Sequence, residues 1–308
     1  MTAVLPVFAP LPIRASSAVF GADRRVIRGQ KMEGGRMAAS VIDRFRELVV
    51  DESDPFYFDH PLDHVPGMLL FSGLFELAVR ADELRSHGRP PGRVVAGLDF
   101  VRFCELRGGT TLSCRPVPGP NRAWTLAARQ AGEEVCAGSI AFADDVPAGA
   151  AGARGAASAV PVPRRAPAEL VHRRRPENIL VGEPMRRGRG VVEAAVLQPP
   201  AGPGRRAPFR GPVEIVEAGR QFATMLEHGE HGRPMDTTLL WVALRLDIPC
   251  RLDRDAPLLL RWPVARVPGR RSRCKATLAD AATGADLGSL TYEACAVDPE
   301  QYARTRTR

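Results

Sequence analysis

Residues 59–85 give the strongest indication of the fold. This stretch begins Asp-His-Pro-Leu-Asp-His-Val-Pro-Gly (59–67) and continues Met-Leu-Leu-Phe-Ser-Gly-Leu-Phe-Glu-Leu-Ala-Val (68–79). Pro66 and Gly67 mark the start of a run whose apolar residues cover nearly every side of a helix, and such a helix belongs in a protein interior. The sequence therefore predicts a buried helix over about residues 67–85, preceded by a loop rich in Asp and His.

A second copy of this pattern follows about 145 residues later. Gly211-Pro212 opens another predicted helix, which runs to about residue 228, and His-Gly-Arg-Pro follows the first helix at 87–90 and the second at 231–234. Phe-Cys-Glu-Leu (103–106) lines up with Pro-Cys-Arg-Leu (249–252), and Gly-Ser-Ile (138–140) with Gly-Ser-Leu (288–290). Four matches in the same order indicate an internal duplication.

Strand-like runs follow each predicted helix. They lie at 94–106, 110–116, 122–130 and 134–143 in the left half, and at 237–248, 257–264, 273–279 and 286–297 in the right half. A buried helix wrapped by an antiparallel sheet is the hotdog arrangement, and two such units normally pair through their edge strands. We therefore predict an α+β fold, a tandem (double) hotdog. The chain would be a monomer with intramolecular pairing, or a homodimer of it.

Composition divides the chain into five segments. Residues 1–37, with Met32 and Met37, are expected to be a disordered or non-native extension. Residues 38–143 form the first predicted repeat, and residues 169–300 form the second. Residues 144–168, rich in Ala, Gly and Pro, are the predicted linker. Residues 301–308 are the expected disordered basic tail.

The charge and cysteine content narrow the class of protein. The net charge is +8 over 308 residues, but the basic residues are almost all Arg and only 6% of residues are aromatic, so we expect no nucleic-acid partner. No run approaches the roughly 18 apolar residues of a membrane-spanning helix. An acidic protein or a phosphorylated substrate suits the charge. The six cysteines contain no Cys-x-x-Cys pair, which favours buried thiols in a reducing compartment and a cytoplasmic location.

The loop before the first helix holds groups suited to chemistry. His60 and His64 can exchange protons near neutral pH. The helix start offers unpaired N–H groups that can hold an oxyanion, and Gly67 has no side chain to block their approach. Two other interpretations stay open: the histidines cap the helix and pack the loop, or the Asp and His pairs bind a metal, which would need a further ligand.

The motifs around this loop carry a family resemblance. Phe56–His60 followed by Pro66–Leu69 resembles the active-site entrance of hotdog β-hydroxyacyl-carrier-protein dehydratases. Asp-His-Pro-Leu-Asp-His-Val-Pro-Gly-Met (59–68) resembles more closely the hallmark of the AfsA-type A-factor (γ-butyrolactone) biosynthesis hotdog family. Val-His-Arg (171–173), leading to Asn-Ile-Leu (178–180), and Glu-Ala-Gly-Arg-Gln (217–221) resemble two further family elements.

Two departures from the family pattern suggest an asymmetric site. The family's helix Glu is replaced by Ser72, with Glu76 one turn further on, and the Val-His-Arg element follows the Asp-His-Pro loop where the family would have it first. In paired hotdogs the histidine loop of one unit faces the helix carboxylate of the other. We therefore expect His60 and His64 to lie opposite Glu217, whose pKa burial would raise. An inactive twin site would set Arg210 against Ser72.

The resemblance implies an acyltransferase. The family would move a β-ketoacyl group from an acyl-carrier-protein or acyl-CoA thioester to the hydroxyl of dihydroxyacetone phosphate, on the way to a γ-butyrolactone signal. A histidine or Glu217 would take the proton, the N–H groups near Gly67 would hold the oxyanion, and no metal or redox cofactor is implied. The expected substrate-binding residues are Asp63, Gly67, Met68, Arg173, Arg174, Arg210 and Arg220. A dehydratase, a thioesterase or a non-catalytic acyl-binding protein are the alternatives.

Overall fold

The computed structural model describes residues 44–144, 163–188, 190–198, 208–265 and 269–306. The predicted extension (1–37) and most of the predicted linker lie outside these ranges. The left half contains β1 (Arg44–Glu47), α1 (Gly67–Arg85), β2 (Arg93–Phe100), β3 (Thr110–Pro116), β4 (Arg122–Gln130) and β5 (Glu133–Ala143). The right half contains β6 (Met185–Arg187), β7 (Val191–Val196), β8 (Phe209–Arg210), α2 (Pro212–Gly229), β9 (Thr238–Pro249), β10 (Leu252–Asp253), β11 (Leu258–Pro263), β12 (Arg271–Asp280), β13 (Asp286–Val297) and α3 (Pro299–Arg306).

Within the described residues, eleven strands form one sheet in the order β1-β3-β4-β5-β2-β9-β13-β12-β11-β7-β6. Counted outward from the centre, β2-β5-β4-β3-β1 on the left corresponds to β9-β13-β12-β11-β7 on the right. The two halves join where β2 pairs antiparallel with β9, from Arg93 opposite Pro249 to Asp99 opposite Ala243. The pairing of edge strands within one chain therefore produces a continuous sheet.

Two glycines show how closely the halves repeat. A Cβ added to Gly138 on β5 would lie 1.9 Å from the carbonyl oxygen of Gly97, and one added to Gly288 on β13 would lie 2.2 Å from that of Asp247. Each glycine therefore permits the same close approach of two neighbouring strands. Gly288 lies 150 positions after Gly138, and Asp247 lies 150 positions after Gly97, as an internal duplication requires.

The two long helices lie against the sheet and contact each other. Helix α1 buries apolar residues on all sides, as its sequence predicts. Helix α2 differs because its buried residues include a polar stripe at helical spacing: Glu217, Gln221, Thr224 and His228. Buried polar side chains need hydrogen-bond partners, so the segments that pack against α2 must supply them.

The C-terminal segment departs from the expected disordered tail, since residues up to Arg306 form helix α3. No residue of α3 is buried, and its contacts to the Asp-His loop are polar. Charged side chains that pair across the surface hold this helix, together with the Tyr302 ring, which packs edge-on against Phe103; composition alone does not reveal such contacts. None of the helices in the described ranges has both the length and the apolar character needed to cross a membrane.

Candidate active site

A cleft of about 1370 Å³ opens between the two halves. Its walls come from the Asp-His loop and the start of α1 on one side, and from the 168–174 segment, α2 and β9 on the other. Its lining includes His60, Gly67, His172, Arg173, Arg220 and Trp241. Large concave sites between structural units are the usual location of ligand binding.

The N-terminus of α1 presents free backbone donors to this cleft. Pro66 is the N-cap and no side chain caps the helix, while the N–H groups of Leu69 and Leu70 donate to the Pro66 carbonyl. Within the described part of the chain, no acceptor meets the N–H groups of Gly67 and Met68. Both residues line the cleft, so two donors and the positive end of the helix dipole are available to a developing oxyanion.

Gly67 is required there by packing. A Cβ on Gly67 would lie 2.8 Å from Cε3 of Trp241 and 3.5 Å from Cε1 of Phe100. Trp241 comes from β9 of the right half, and its ring packs against those of Phe100 and Tyr292. The right half therefore presses directly on the start of the left helix.

Glu217 is fully buried and is held by two arginines. Its Oε1 accepts from Nη2 of Arg173 at 2.6 Å, from Nη2 of Arg220 at 2.8 Å and from Nε2 of Gln221 at 2.7 Å, while Oε2 accepts from Nε of Arg220 at 2.8 Å. Burial opposes ionisation, yet Arg220 and Arg173 together hold the pKa of Glu217 at about 2. The expectation that burial raises this pKa is wrong, because the arginines outweigh the desolvation. A carboxylate this acidic is a poor base at neutral pH, and it does not line the cleft.

Arg173 connects the loop of the left half to the helix of the right half. Its Nη1 donates to the Phe56 carbonyl at 3.0 Å while its Nη2 pairs with Glu217. Asp59, the first residue of the Asp-His-Pro motif, strengthens this junction: its carboxylate accepts from the backbone N–H groups of Arg174 and Arg175 and, at 2.8 Å, from Nδ2 of Asn178. The motif's first Asp is thus a tether for the Val-His-Arg segment.

His60 lies on the cleft wall, half-buried. Desolvation and then the positive charge of Arg173 lower its pKa, so its imidazole is neutral at physiological pH. Arg173 and Arg220, which hold Glu217, both act on His60 electrostatically. His60 of the left half and Glu217 of the right half therefore interact with the same two arginines.

Asp63 and His64 lie at the mouth of the cleft under α3. Nδ1 of His64 is 2.7 Å from Asp63 Oδ1 and 3.1 Å from the Tyr302 hydroxyl. Burial disfavours the charged form of Asp63, but the Tyr302 hydroxyl, His64 and Arg306 bring its pKa to about 2. Arg306 also pairs with Glu105 at 2.6 Å. These partners engage both residues, and Tyr302 and Arg306 come from α3, not from α2.

Arg210 does not occupy the cleft. It is buried on β8, where its guanidinium donates to the carbonyls of Val196 at 3.3 Å and Arg254 at 2.8 Å, with Glu214 4.0 Å away. The expected role of Arg210 in substrate binding is therefore wrong. Ser72 instead accepts a hydrogen bond of 2.8 Å from Tyr57, so Arg210 and Ser72 have different partners and do not form the expected twin site.

A pair of histidines on the right-half side of the cleft was not predicted from the sequence. Nε2 of His172 is 2.8 Å from Nε2 of His228 on α2, and Nδ1 of His228 is 3.0 Å from the carbonyl oxygen of Arg233. His172 lines the cleft in the left-handed backbone region, at φ 51°. Burial and the charges of His228 and Arg220 lower its pKa to about 4. The polar stripe on α2 and the His of the Val-His-Arg element are the sequence signals that point to this pair.

Solved structures similar to the chain establish the fold. The dehydratase domain from the CurJ module of curacin polyketide synthase covers 87% of this chain and 96% of its own, with 14% identity and a TM-score of 0.58. A trans-AT polyketide synthase dehydratase domain from Brevibacillus brevis (15%, TM-score 0.55, 85% and 96% covered) is also similar. So is the PpsC dehydratase domain from Mycobacterium tuberculosis in complex with C12:1-CoA (16%, TM-score 0.52, 83% and 94% covered). All are hotdog dehydratases, which confirms the hotdog class of the fold.

Sequence comparisons point to one family. A stretch of 72 residues is 38% identical to 2-oxo-3-(phosphooxy)propyl 3-oxoalkanoate synthase of Streptomyces virginiae, an enzyme. The match spans 23% of this chain and 23% of that relative. Residues 156–298 match the family described as the A-factor biosynthesis hotdog domain. Through this match, the right half of the chain is similar to the AfsA-type family of A-factor biosynthesis hotdog proteins.

Proposed function

We propose that the chain transfers a β-ketoacyl group from an acyl-carrier-protein or acyl-CoA thioester to the hydroxyl of dihydroxyacetone phosphate. The name of the Streptomyces virginiae relative describes the ester that this reaction forms. The observation that carries the proposal is the combination, in one cleft, of free N–H groups at Gly67 and Met68, neutral imidazoles and an excess of arginine. Acyl transfer to an alcohol needs an oxyanion site, a base and, for this acceptor, a cation.

The thioester carbonyl would lie at the start of α1. As the acceptor hydroxyl adds to the carbonyl carbon, negative charge develops on the carbonyl oxygen, and the two free N–H groups stabilise it. The hydroxyl proton passes to a neutral base, and collapse of the tetrahedral intermediate releases the thiol. Glu217 is unsuited to accept that proton because two arginines hold its carboxylate and it does not line the cleft, so the acid–base work falls to the cleft histidines, His60 and His172.

The arginines supply the charge that a phosphate requires. Arg173 and Arg220 are two cations against the single carboxylate of Glu217, so the cluster carries one net positive charge behind the cleft wall. Arg174 lines the cleft, and within the described residues its guanidinium has no acidic partner. We assign the acceptor phosphate to Arg174 as its direct contact, with Arg173 and Arg220 held in place by Glu217.

A second candidate function is dehydration or hydrolysis of acyl thioesters, which the hotdog dehydratase fold favours. Incubating the purified protein with β-ketoacyl-carrier protein and dihydroxyacetone phosphate separates the candidates by mass spectrometry. The proposal predicts a phosphorylated ester that requires both substrates. Free acid would indicate a thioesterase. Enoyl product from the β-hydroxyacyl thioester would indicate a dehydratase, and no turnover of either thioester would indicate an acyl-binding protein.

Variants locate the chemistry within the cleft. His60→Ala should lower ester formation by about 10²–10⁴-fold, the usual contribution of an acid–base group. His87→Ala is the matched control, since His87 is exposed in the loop after α1 and does not line the cleft. Equal activity of the two variants would show that His60 has no acid–base role in the reaction.

A further inference from the structure

The histidine pair on the right-half wall has its tautomers fixed by the contacts of His228. A carbonyl oxygen can only accept a hydrogen bond, so the 3.0 Å contact to the Arg233 carbonyl requires a proton on Nδ1 of His228. In a neutral imidazole the other nitrogen is then a bare acceptor. Nε2 of His228 must therefore accept from Nε2 of His172, 2.8 Å away.

This arrangement leaves the free lone pair on His172. With Nε2 protonated toward His228, Nδ1 of His172 carries the lone pair, and no donor meets it within the described part of the chain. The charged and titratable groups around His172 are His228, Arg220 and His60, which disfavour a second proton on the ring. The ring is thus a neutral base of defined tautomer on the cleft wall.

The backbone at His172 shows that this placement is specifically built. His172 closes the single-turn 3-10 helix Glu169–Val171 with φ 51° and ψ 50°, a conformation uncommon for non-glycine residues, although histidine adopts it more often than most. Its N–H donates to the Glu169 carbonyl, and the next N–H, of Arg173, donates to that of Ala168. The left-handed conformation of His172 places its imidazole against His228 on α2, while the next residue, Arg173, reaches Glu217.

We propose that His172 is the general base of the reaction and that His228 is its positioning residue. The inference rests on the proposed function. The acceptor O–H bond breaks as the oxygen bonds to the thioester carbon, and the proton moves to Nδ1 of His172. When the C–S bond breaks, the same proton passes to the leaving sulfur, which restores neutral His172. His228 holds the ring throughout, as the third group of a catalytic triad orients its base.

The kinetic test uses the full chain with β-ketoacyl-carrier protein and dihydroxyacetone phosphate. His172→Asn should lower kcat by about 10²–10⁴-fold with little change in KM. The matched control is His87→Asn, because His87 is also left-handed (φ 53°) but exposed, and Asn tolerates that backbone. His228→Gln keeps an acceptor for His172 and a donor for the Arg233 carbonyl, so it should retain most of the activity that His228→Leu loses. A folded His172→Asn variant with the kcat of the control would overturn the inference.

An activity-independent measurement separates this inference from the proposed function. Nitrogen-15 NMR of the imidazoles in the unmodified protein should show Nδ1 bare and Nε2 protonated in His172, with the reverse in His228. A protonated Nδ1 on His172 overturns the base assignment whatever the assay gives. If the protein forms no ester, the proposed function fails, and the tautomers alone then decide whether His172 is a base poised in the cleft.

Discussion

Replacing Glu217 by Gln removes one negative charge from the buried junction of the two halves and leaves the shape of the side chain nearly unchanged. The buried guanidinium of Arg173 and the partly buried guanidinium of Arg220 then lose their common counter-ion. Removing one partner of a buried ion pair is costly because the remaining charge stays desolvated. We expect a large loss of stability and, because the arginines shift, a loss of acyl transfer.

The magnitude follows from the pKa. The pKa of Glu217 is about 2 in the folded protein, against an ordinary value of 4.5. Each pKa unit corresponds to about 1.4 kcal/mol, so ionised Glu217 stabilises the fold by about 3 kcal/mol at pH 7. A carboxyl with a depressed pKa contributes its stability above the unfolded pKa and loses it as the pH falls from 4.5 toward 2. At pH 3 the contribution should have dropped to about 1 kcal/mol.

Urea unfolding followed by circular dichroism at pH 7 and pH 3 measures both numbers. Glu83→Gln is the control, because Glu83 lies on α1 and no ion pair joins its carboxylate within the described residues. The reasoning is refuted if Glu217→Gln and Glu83→Gln have the same stability at pH 7, or if the difference between them grows in acid.

Three further changes probe the cleft and its surroundings. Gly67→Ala should cost about 1–3 kcal/mol in urea unfolding and lower kcat, because its Cβ would lie 2.8 Å from Trp241; an unchanged protein would show that the two halves do not press together there. Arg174→Ala should raise KM for dihydroxyacetone phosphate about 10–100-fold, whereas Arg210→Met should reduce stability and leave that KM unchanged; a raised KM in the Arg210 variant would return Arg210 to the site. Asp59→Ala should release the segment 172–178, seen as faster amide hydrogen exchange there, and unaltered exchange would contradict its role as a tether.

The architecture was accessible from sequence because hydrophobic pattern determines it. The apolar run after Pro66 predicts a helix over about 67–85, and α1 spans Gly67–Arg85. The strand predicted at 94–106 is shorter in the structure, since β2 ends at Phe100. Beyond the end of β2, the backbone carbonyl of Cys104 accepts a hydrogen bond from the Val65 N–H and so holds the Asp-His loop. An apolar run does not distinguish a strand from a segment that pairs with a loop, because both bury alternate residues.

The site was only partly accessible, because its chemistry depends on contacts between distant segments. The Asp-His-Pro motif borders the cleft, and His60 and Gly67 line it. The pKa of Glu217 could not be read from its apolar neighbours, since Arg173 lies 44 residues away and reverses the sign of the shift. His172 and His228 are 56 residues apart, and only folding brings their rings together.

The central claim is that the thioester carbonyl binds at the N-terminus of α1, in the cleft between the two halves. A crystal structure of the protein with a non-hydrolysable β-ketoacyl-pantetheine analogue tests it directly. The account predicts the carbonyl oxygen about 3 Å from the N–H of Gly67 or Met68, with the imidazoles of His60 and His172 lining the same space. An analogue bound outside this cleft, or with its carbonyl directed away from α1, would contradict the account.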